Sequence, residues 1–134
     1  AQPFTALVES KNSYELELDF AANTEHEIIL FADKNGKGLR INFDLKAGQV
    51  TVDRSQAGEP FALDFGTSRS CNIDKEATSA TIFIDKSIFE IFINKGEKVF
   101  SGRVFPREDQ TGIAITKGNP TGTYYELDYG RKAN

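Results

Sequence analysis

The sequence predicts an all-β protein, an antiparallel two-sheet β-sandwich of about eleven or twelve strands. Three observations carry this. Apolar and polar residues alternate with period two, not 3.6, along much of the chain. Turn-forming clusters of Gly, Asn, Asp and Pro recur at short intervals. No stretch of ten or more residues keeps a helical apolar stripe.

In chain order, the first strand is expected at Phe4–Glu9. In the second, Tyr14, Leu16, Leu18 and Phe20 alternate with Glu15, Glu17 and Asp19, which describes one face in a core and one in water. Glu27–Ala32 follows, then the turn Asp33-Lys34-Asn35-Gly36 and a second clean alternation of Leu39, Ile41, Phe43 and Leu45 with Arg40, Asn42 and Asp44. Ala47-Gly48 leads into Gln49–Asp53, and Ala57-Gly58-Glu59-Pro60 separates that strand from Ser68–Ile73. Thr81–Asp85 and Ile88–Ile93 are apolar on both sides, as central strands are, which favours a sandwich over a jelly roll or a barrel. Asn94-Lys95-Gly96-Glu97 turns the chain into Val99–Phe105; Gly112–Thr116, the turn Gly118-Asn119-Pro120 and Thr123–Leu127 complete the set. There is no internal repeat and no low-complexity segment.

The 134 residues fit one domain, 1–134, with enough length to bury a core unaided. A net charge of −4, with no basic run longer than Arg131-Lys132, argues against nucleic acid or an anionic membrane as partner. No apolar stretch approaches a membrane span, and Ala1-Gln2-Pro3-Phe4 does not read as a signal peptide. The single cysteine, Cys71, excludes an intrachain disulfide and a thiolate zinc site. It fits a reducing, cytoplasmic setting and is expected to be a buried, reduced thiol. The one Asn-x-Thr pattern, Asn119-Pro120-Thr121, is blocked for glycosylation by its proline. The chain contains no methionine, which points to a processed product or a piece of a longer protein.

Residues for chemistry are sparse. The lone histidine, His26, lies between Glu25 and Glu27 and reads as a solvated imidazole, not as part of a triad or metal site. Asp33, Asn35, Gly38 and Asp44 mimic positions 1, 3, 6 and 12 of a calcium loop. Lys37 at position 5 and the short carboxylate at position 12 defeat that reading, and a hairpin turn is expected. Glu90 is flanked on its own face by Ile88 and Phe92, so it is expected to be buried and either paired or protonated. Arg103 is preferred to Arg69 as its partner, because the following strand returns by a short hairpin; a catalytic acid with raised pKa is the alternative role. Tyr124, Tyr125 and Tyr129 are candidates for a sugar-stacking platform, but with no tryptophan present, core and edge packing is the expected role.

Four segments, taken in order, resemble the C-terminal β-sandwich module of glycoside hydrolase family 32. They are Val52-Asp53-Arg54-Ser55; Phe65-Gly66-Thr67-Ser68-Arg69-Ser70-Cys71; Ile84-Asp85-Lys86-Ser87-Ile88-Phe89-Glu90-Ile91-Phe92-Ile93-Asn94 with Gly96-Glu97; and Ser101-Gly102-Arg103-Val104-Phe105-Pro106. The resemblance covers about half the chain and is closest in flavour to the family's bacterial, cytoplasmic sucrose-6-phosphate hydrolases. It implies a retaining parent enzyme that hydrolyses β-fructofuranosides, with an N-terminal five-bladed propeller as this module's partner, and leaves a homodimer open. Structural, not catalytic, roles are implied for Asp53, Arg54, Ser55, Gly66, Arg69, Cys71, Asp85, Ser87, Glu90, Asn94, Gly96, Glu97, Arg103 and Pro106.

The family's catalytic motifs, Trp-Met-Asn-Asp-Pro, Arg-Asp-Pro and Glu-Cys, do not occur in this sequence. No residue therefore inherits a catalytic role, and no cofactor or metal is expected. An independent carbohydrate-binding or lectin-like sandwich is the competing expectation.

Overall fold

The computed structural model describes residues 2–3, 7–9, 13–53, 68–73, 78–94, 98–104, 110–118 and 121–126. These form twelve strands: β1 (Gln2–Pro3), β2 (Leu7–Glu9), β3 (Ser13–Phe20), β4 (Glu25–Ala32), β5 (Leu39–Asp44), β6 (Gln49–Asp53), β7 (Ser68–Asn72), β8 (Thr78–Asp85), β9 (Ile88–Ile93), β10 (Lys98–Arg103), β11 (Gly112–Lys117) and β12 (Thr121–Glu126). They assemble into two antiparallel six-stranded sheets, the first ordered β1-β12-β3-β8-β9-β10 and the second β2-β11-β4-β5-β6-β7. The expected antiparallel sandwich is borne out. One boundary differs. Of the strand expected at Phe4–Glu9, Leu7–Glu9 forms β2 and pairs with β11 in the second sheet, while 4–6 lie outside the described residues; Gln2–Pro3, not expected as a strand, forms β1 beside β12 in the first sheet.

The core fills the space between the sheets, because period-two alternation sends every second side chain inward. Leu16, Leu18, Ile82, Ile84, Ile91 and Ile93 come from the first sheet, and Ile28, Leu30, Ile41, Phe43, Val50 and Val52 from the second. Phe20 stacks on Phe43 across the layers, with ring centroids 4.4 Å apart at 26°. Tyr14 and Tyr124 pack at 5.4 Å in the first sheet. Burial, and then the neighbouring Tyr124, hold the Tyr14 hydroxyl well above the usual phenol range.

Two bulges modulate the β4–β11 pair. The register jumps from Gly112↔Ala32 to Ala114↔Ile29, so β4 carries an extra residue, and Phe31 takes a positive φ of 52° there. That turn brings Phe31 into the core beside Leu30, and the whole segment Ile28–Ala32 is buried. The second jump, from Ile115↔Ile28 to Lys117↔Glu27, puts the extra residue Thr116 in β11.

The expected turns at Asp33–Gly36 and Ala47-Gly48 form; Ala57-Gly58-Glu59-Pro60, Lys95-Gly96-Glu97 and Asn119-Pro120 lie outside the described residues. The Asp33 carboxylate accepts the backbone N–H groups of Asn35 (2.8 Å) and Lys37 (3.0 Å), closing the β4–β5 hairpin as an Asx-type turn. Asp44 does the same for Lys46 and Ala47. Cys71, expected to be buried, is half-buried instead. It lies on β7, an edge strand, opposite Val50, where only one flank meets the core.

Candidate functional site

The outer face of the second sheet is built around Glu27. Residues 25, 27 and 29 of β4 point away from the core, and cross-strand pairing brings Arg40 and Asn42 of β5 beside them. Arg40 Nη1 donates to Glu27 Oε1 at 2.7 Å, and the bulged Thr116 donates to the same oxygen at 2.7 Å. The bulge in β11 is what aims that hydroxyl. Burial by itself would raise the Glu27 carboxyl; the hydrogen bonds from Thr116 and Arg40, with the Arg40 charge, outweigh it and leave the group below the ordinary carboxylate value. Next to it, Glu25 accepts from Asn42 Nδ2 (2.9 Å) and Lys117 Nζ (3.3 Å), which lower its pKa in that order. These carboxylates are fully engaged by cations and donors, an arrangement that binds the sheet together and leaves neither as an acid or base.

A folded-state pKa below the unfolded one stabilises fully above the unfolded value, about 4.3 for Glu, and is lost as pH falls through the folded value. Glu27→Gln is therefore expected to cost about 1–2 kcal/mol at pH 7, discounted because Arg40 is a third exposed. The variant should also lose less stability than the wild type between about pH 5 and pH 3. Urea midpoints at the two pH values check both halves. An unchanged acid limb would remove Glu27 from the account.

His26 is not solvated as expected. It shares parity with Ile28 and Leu30, so its ring turns inward, is 5% exposed and packs 4.9 Å from Phe20. Thr24 donates its hydroxyl proton to the Ala21 carbonyl (2.7 Å), so the contact between Thr24 Oγ1 and His26 Nε2 (2.8 Å) requires Nε2 to donate. Nδ1 then carries the lone pair, buried without a partner among the described residues. It lies so close to Gly118, which has a positive φ of 75°, that a Cβ there would sit 2.3 Å from it. Burial lowers the His26 pKa, favouring the neutral ring. An open cleft between the β3–β4 and β11–β12 turns is lined by Asp19, Thr24, Glu25, His26 and Thr121. The buried Nδ1 gives that cleft no accessible base.

Glu90 also differs from expectation. It does share a face with Ile88 and Phe92, but that face is the outer one of the first sheet, and Glu90 is exposed. It stands opposite Ser101 and Phe83, while Arg103, also exposed, stands opposite Ile88. Residues apolar on both sides of β9 do not make both sides dry. A part-buried acid–guanidinium pair lies instead on the second sheet, between Glu27 and Arg40.

Several motif residues shape hairpins. Asp85 and Ile88 pair across the Lys86-Ser87 turn, where Lys86 has a φ of 61°, and the Ser87 carbonyl accepts the Val104 N–H at 2.8 Å. Asn94 adopts a φ of 53°, a conformation asparagine tolerates, and bonds Ser79 twice: its N–H reaches the Ser79 carbonyl (2.9 Å) and its Oδ1 accepts the Ser79 N–H (3.1 Å). Gly102 lies under the Phe89 ring, where a Cβ would fall 2.9 Å from Cζ. Asp53 ends β6 half-buried. Arg69 lies on β7, its side chain outside the described set, as are Arg54, Ser55, Gly66, Gly96, Glu97 and Pro106. Of the tyrosines, Tyr124 belongs to the core, Tyr125 donates to Glu17 Oε1 at 3.4 Å, and Tyr129 lies outside the described residues. Tyr124 and Tyr125 thus point to opposite faces and form no shared platform. No cluster of three or more His, Cys, Asp or Glu that would hold a metal occurs among the described residues, and no helix there could cross a membrane.

The family profile described as "Glycosyl hydrolases family 32 C terminal" matches residues 2–129. The chain belongs to glycoside hydrolase family 32. Among curated members, the sucrose-6-phosphate hydrolase of Streptococcus mutans is 59% identical over 121 residues, covering 90% of this chain and 25% of that protein. The Lactococcus lactis sucrose-6-phosphate hydrolase is 37% identical, covering 78% and 20%. This chain thus spans about a quarter of the length of these family 32 relatives. Of the solved structures, sucrose-6-phosphate hydrolase from Lactobacillus gasseri superposes with a TM-score of 0.87 at 28% identity, over 94% of this chain and 28% of that one. A galectin of Caenorhabditis elegans, LEC-6, superposes at 0.62 with 13% identity, which shows a shared sandwich fold alone. The family 32 resemblance drawn from four motifs is borne out over nearly the whole chain.

Proposed function

We propose that this chain is the non-catalytic C-terminal domain of a cytoplasmic sucrose-6-phosphate hydrolase of invertase type, supporting an N-terminal propeller that carries the active site. The observation that carries the reading is the 59% identity to the Streptococcus mutans enzyme over 90% of this chain and only a quarter of that protein. Its motif residues Asp85, Ser87, Asn94 and Gly102 then serve hairpin geometry, and its well-bonded acids Glu25 and Glu27 serve the sheet. A cytoplasmic setting suits a charged sugar phosphate, whose ionic group resists transfer through an apolar bilayer.

The intact parent is expected to hydrolyse sucrose 6-phosphate. Deleting this domain from it is expected to shorten the half-life of thermal inactivation about tenfold or more, equivalent to about 1.4 kcal/mol on the barrier. An intact parent inert towards sucrose 6-phosphate would overturn the substrate assignment. A deletion variant as heat-resistant as the whole enzyme would overturn the supporting role.

A further inference from the structure

Two connections cross between the sheets at one end of the sandwich. The β3–β4 turn carries the chain from the first sheet to the second, and the β11–β12 turn carries it back beside it. His26 is the contact between them. Its ring packs on Phe20 at 4.9 Å, and Phe20 in turn stacks on Phe43 across the core. Its Nε2–H is committed to Thr24, whose own hydroxyl proton is committed to the Ala21 carbonyl. Its Nδ1 abuts the bare backbone of Gly118, where a Cβ would fall 2.3 Å from the nitrogen and 2.6 Å from the Glu25 carbonyl oxygen. The turn closes over the ring because residue 118 has no side chain and takes a φ of 75°.

Such a closure suits a neutral ring and not a charged one. Neutral, His26 leaves only a lone pair at Nδ1, a buried acceptor without a partner among the described residues. Protonated, it would press a second N–H against Gly118, and an unpaired buried charge costs far more than an unpaired neutral acceptor. The charged groups on the surrounding elements are turned away or engaged elsewhere. On β3, Asp19 is exposed at the cleft rim. On β4, Glu25 and Glu27 point to the outer face and bond Asn42, Lys117, Arg40 and Thr116. On β5, the residue opposite His26 is Phe43; beyond it Asp44 accepts the Lys46 and Ala47 N–H groups, and the Lys46 side chain is exposed. On β11 the charge is Lys117, which bonds Glu25, and β12 offers the uncharged Thr121. Burial thus lowers the His26 pKa without a facing carboxylate to oppose it.

We propose that His26 is an acid-sensitive latch on this end of the sandwich: neutral, it lets the β11–β12 turn seal against the β3–β4 turn, and protonated, it expels Gly118 and opens the cleft between them. The opened state takes up a proton at the ordinary histidine value of about 6.5, the closed state only below it. Closure is therefore complete above that value and weakens as pH falls through it. His26 is the single histidine of the chain, the one side-chain type that ordinarily titrates between about pH 5 and pH 8. Glu25 and Glu27, with lowered pKa, respond only in stronger acid. Glu15, whose carboxyl is raised, stands opposite Phe83 and Tyr125 in the first sheet, away from the ring.

Hydrogen exchange read peptide by peptide in the intact parent tests this, with each rate taken relative to the unstructured chain at the same pH. From about pH 7.5 to about pH 5.5, protection of residues 24–28 and 115–118 is expected to fall by up to about tenfold, the ratio set by an open-state pKa of about 6.5. β6 and β9, away from the latch, are expected to keep theirs. His26→Gln, which keeps a donor for Thr24 but cannot titrate, is expected to remove the difference between the two pH values. Gly118→Ala, whose Cβ pries the turn off Nδ1, is expected to lower protection of 115–118 already at pH 7.5 and to leave little further change at pH 5.5. A fall that persists in the Gln variant would overturn the proposal by assigning the response to the neighbouring carboxylates. A fall shared evenly by β6 and β9 would overturn it in favour of general loosening. Unchanged protection in the wild type, or a Gly118 variant as protected as the wild type at pH 7.5, would overturn it outright.

Discussion

Purified alone, this chain is expected to leave sucrose and sucrose 6-phosphate intact at every protein concentration, a loss of the entire rate enhancement, typically 10⁶-fold or more for an enzyme. Retaining glycoside hydrolysis needs two carboxyl groups about 5 Å apart flanking a bound sugar, one of them protonated at the working pH. The described acids are arranged otherwise. Glu25 and Glu27 are tied to Lys117, Asn42, Arg40 and Thr116 and are held at lowered pKa, the wrong direction for a general acid. The Glu15 carboxyl is raised, first by burial and then by the neighbouring Glu17. Yet they sit two residues apart on one open sheet face, where both would lie on the same side of any sugar. Release of glucose or fructose above the buffer rate, retained through purification and abolished by Glu15→Gln, would overturn this expectation. Adding the separately produced catalytic domain is expected to give activity only through that domain's own residues.

How far the sequence revealed the fold depended on how many faces of a strand met water. β3 and β5 were legible residue by residue, because one face of each is core and the other solvent; their buried and exposed positions follow Tyr14–Phe20 and Leu39–Asp44 without exception. β4 was legible only as an apolar run. Its bulge at Phe31 changes the inward phase within the strand, and nothing local in Ile28-Ile29-Leu30-Phe31 marks the residue at which that happens. At Glu90 the phase was read correctly and the environment was not. Periodicity states which residues share a face, but whether that face is covered depends on the other sheet, which lies on the opposite side of β9.

The polar sites were less legible, for reasons of distance. The Glu27–Thr116 bond spans 89 residues and needs a bulge in β11, and neither fact leaves a local mark. His26 did leave one. Its parity with Ile28 and Leu30 signals an inward ring, while the flanking Glu25 and Glu27, which point outward, give the local sequence a polar look. The family motifs succeeded where geometry was local: the positive φ at Asn94, the hairpin at Asp85–Ile88 and the glycine beneath Phe89 each constrain residue type over a few positions. That is why the module is recognisable from short motifs at all.

Phe43→Ala is expected to be among the most destabilising single substitutions in this domain, at about 3–5 kcal/mol. Phe43 is fully buried, lies opposite His26 and Val50 in the second sheet and stacks on Phe20 of the first, so its ring joins the two layers at one end of the core. Truncation removes both the transfer free energy of the ring and the contacts that hold Phe20 against His26. The surrounding sheets are hydrogen-bonded in fixed register and cannot collapse to fill the void, which places the cost in the upper part of the usual range. Since a domain of this size unfolds with an entropy of about 0.3 kcal/mol/K, the melting temperature should fall by roughly 10–18 °C. Phe83→Ala, at a half-buried ring on the outer face of the first sheet, should cost markedly less in the isolated domain, because no second layer closes over it there. Calorimetry on the two variants checks both values. A Phe43 variant that melts within a few degrees of the wild type, or a Phe83 variant that melts below it, would show that the two sheets are not held together through the Phe20–Phe43 contact.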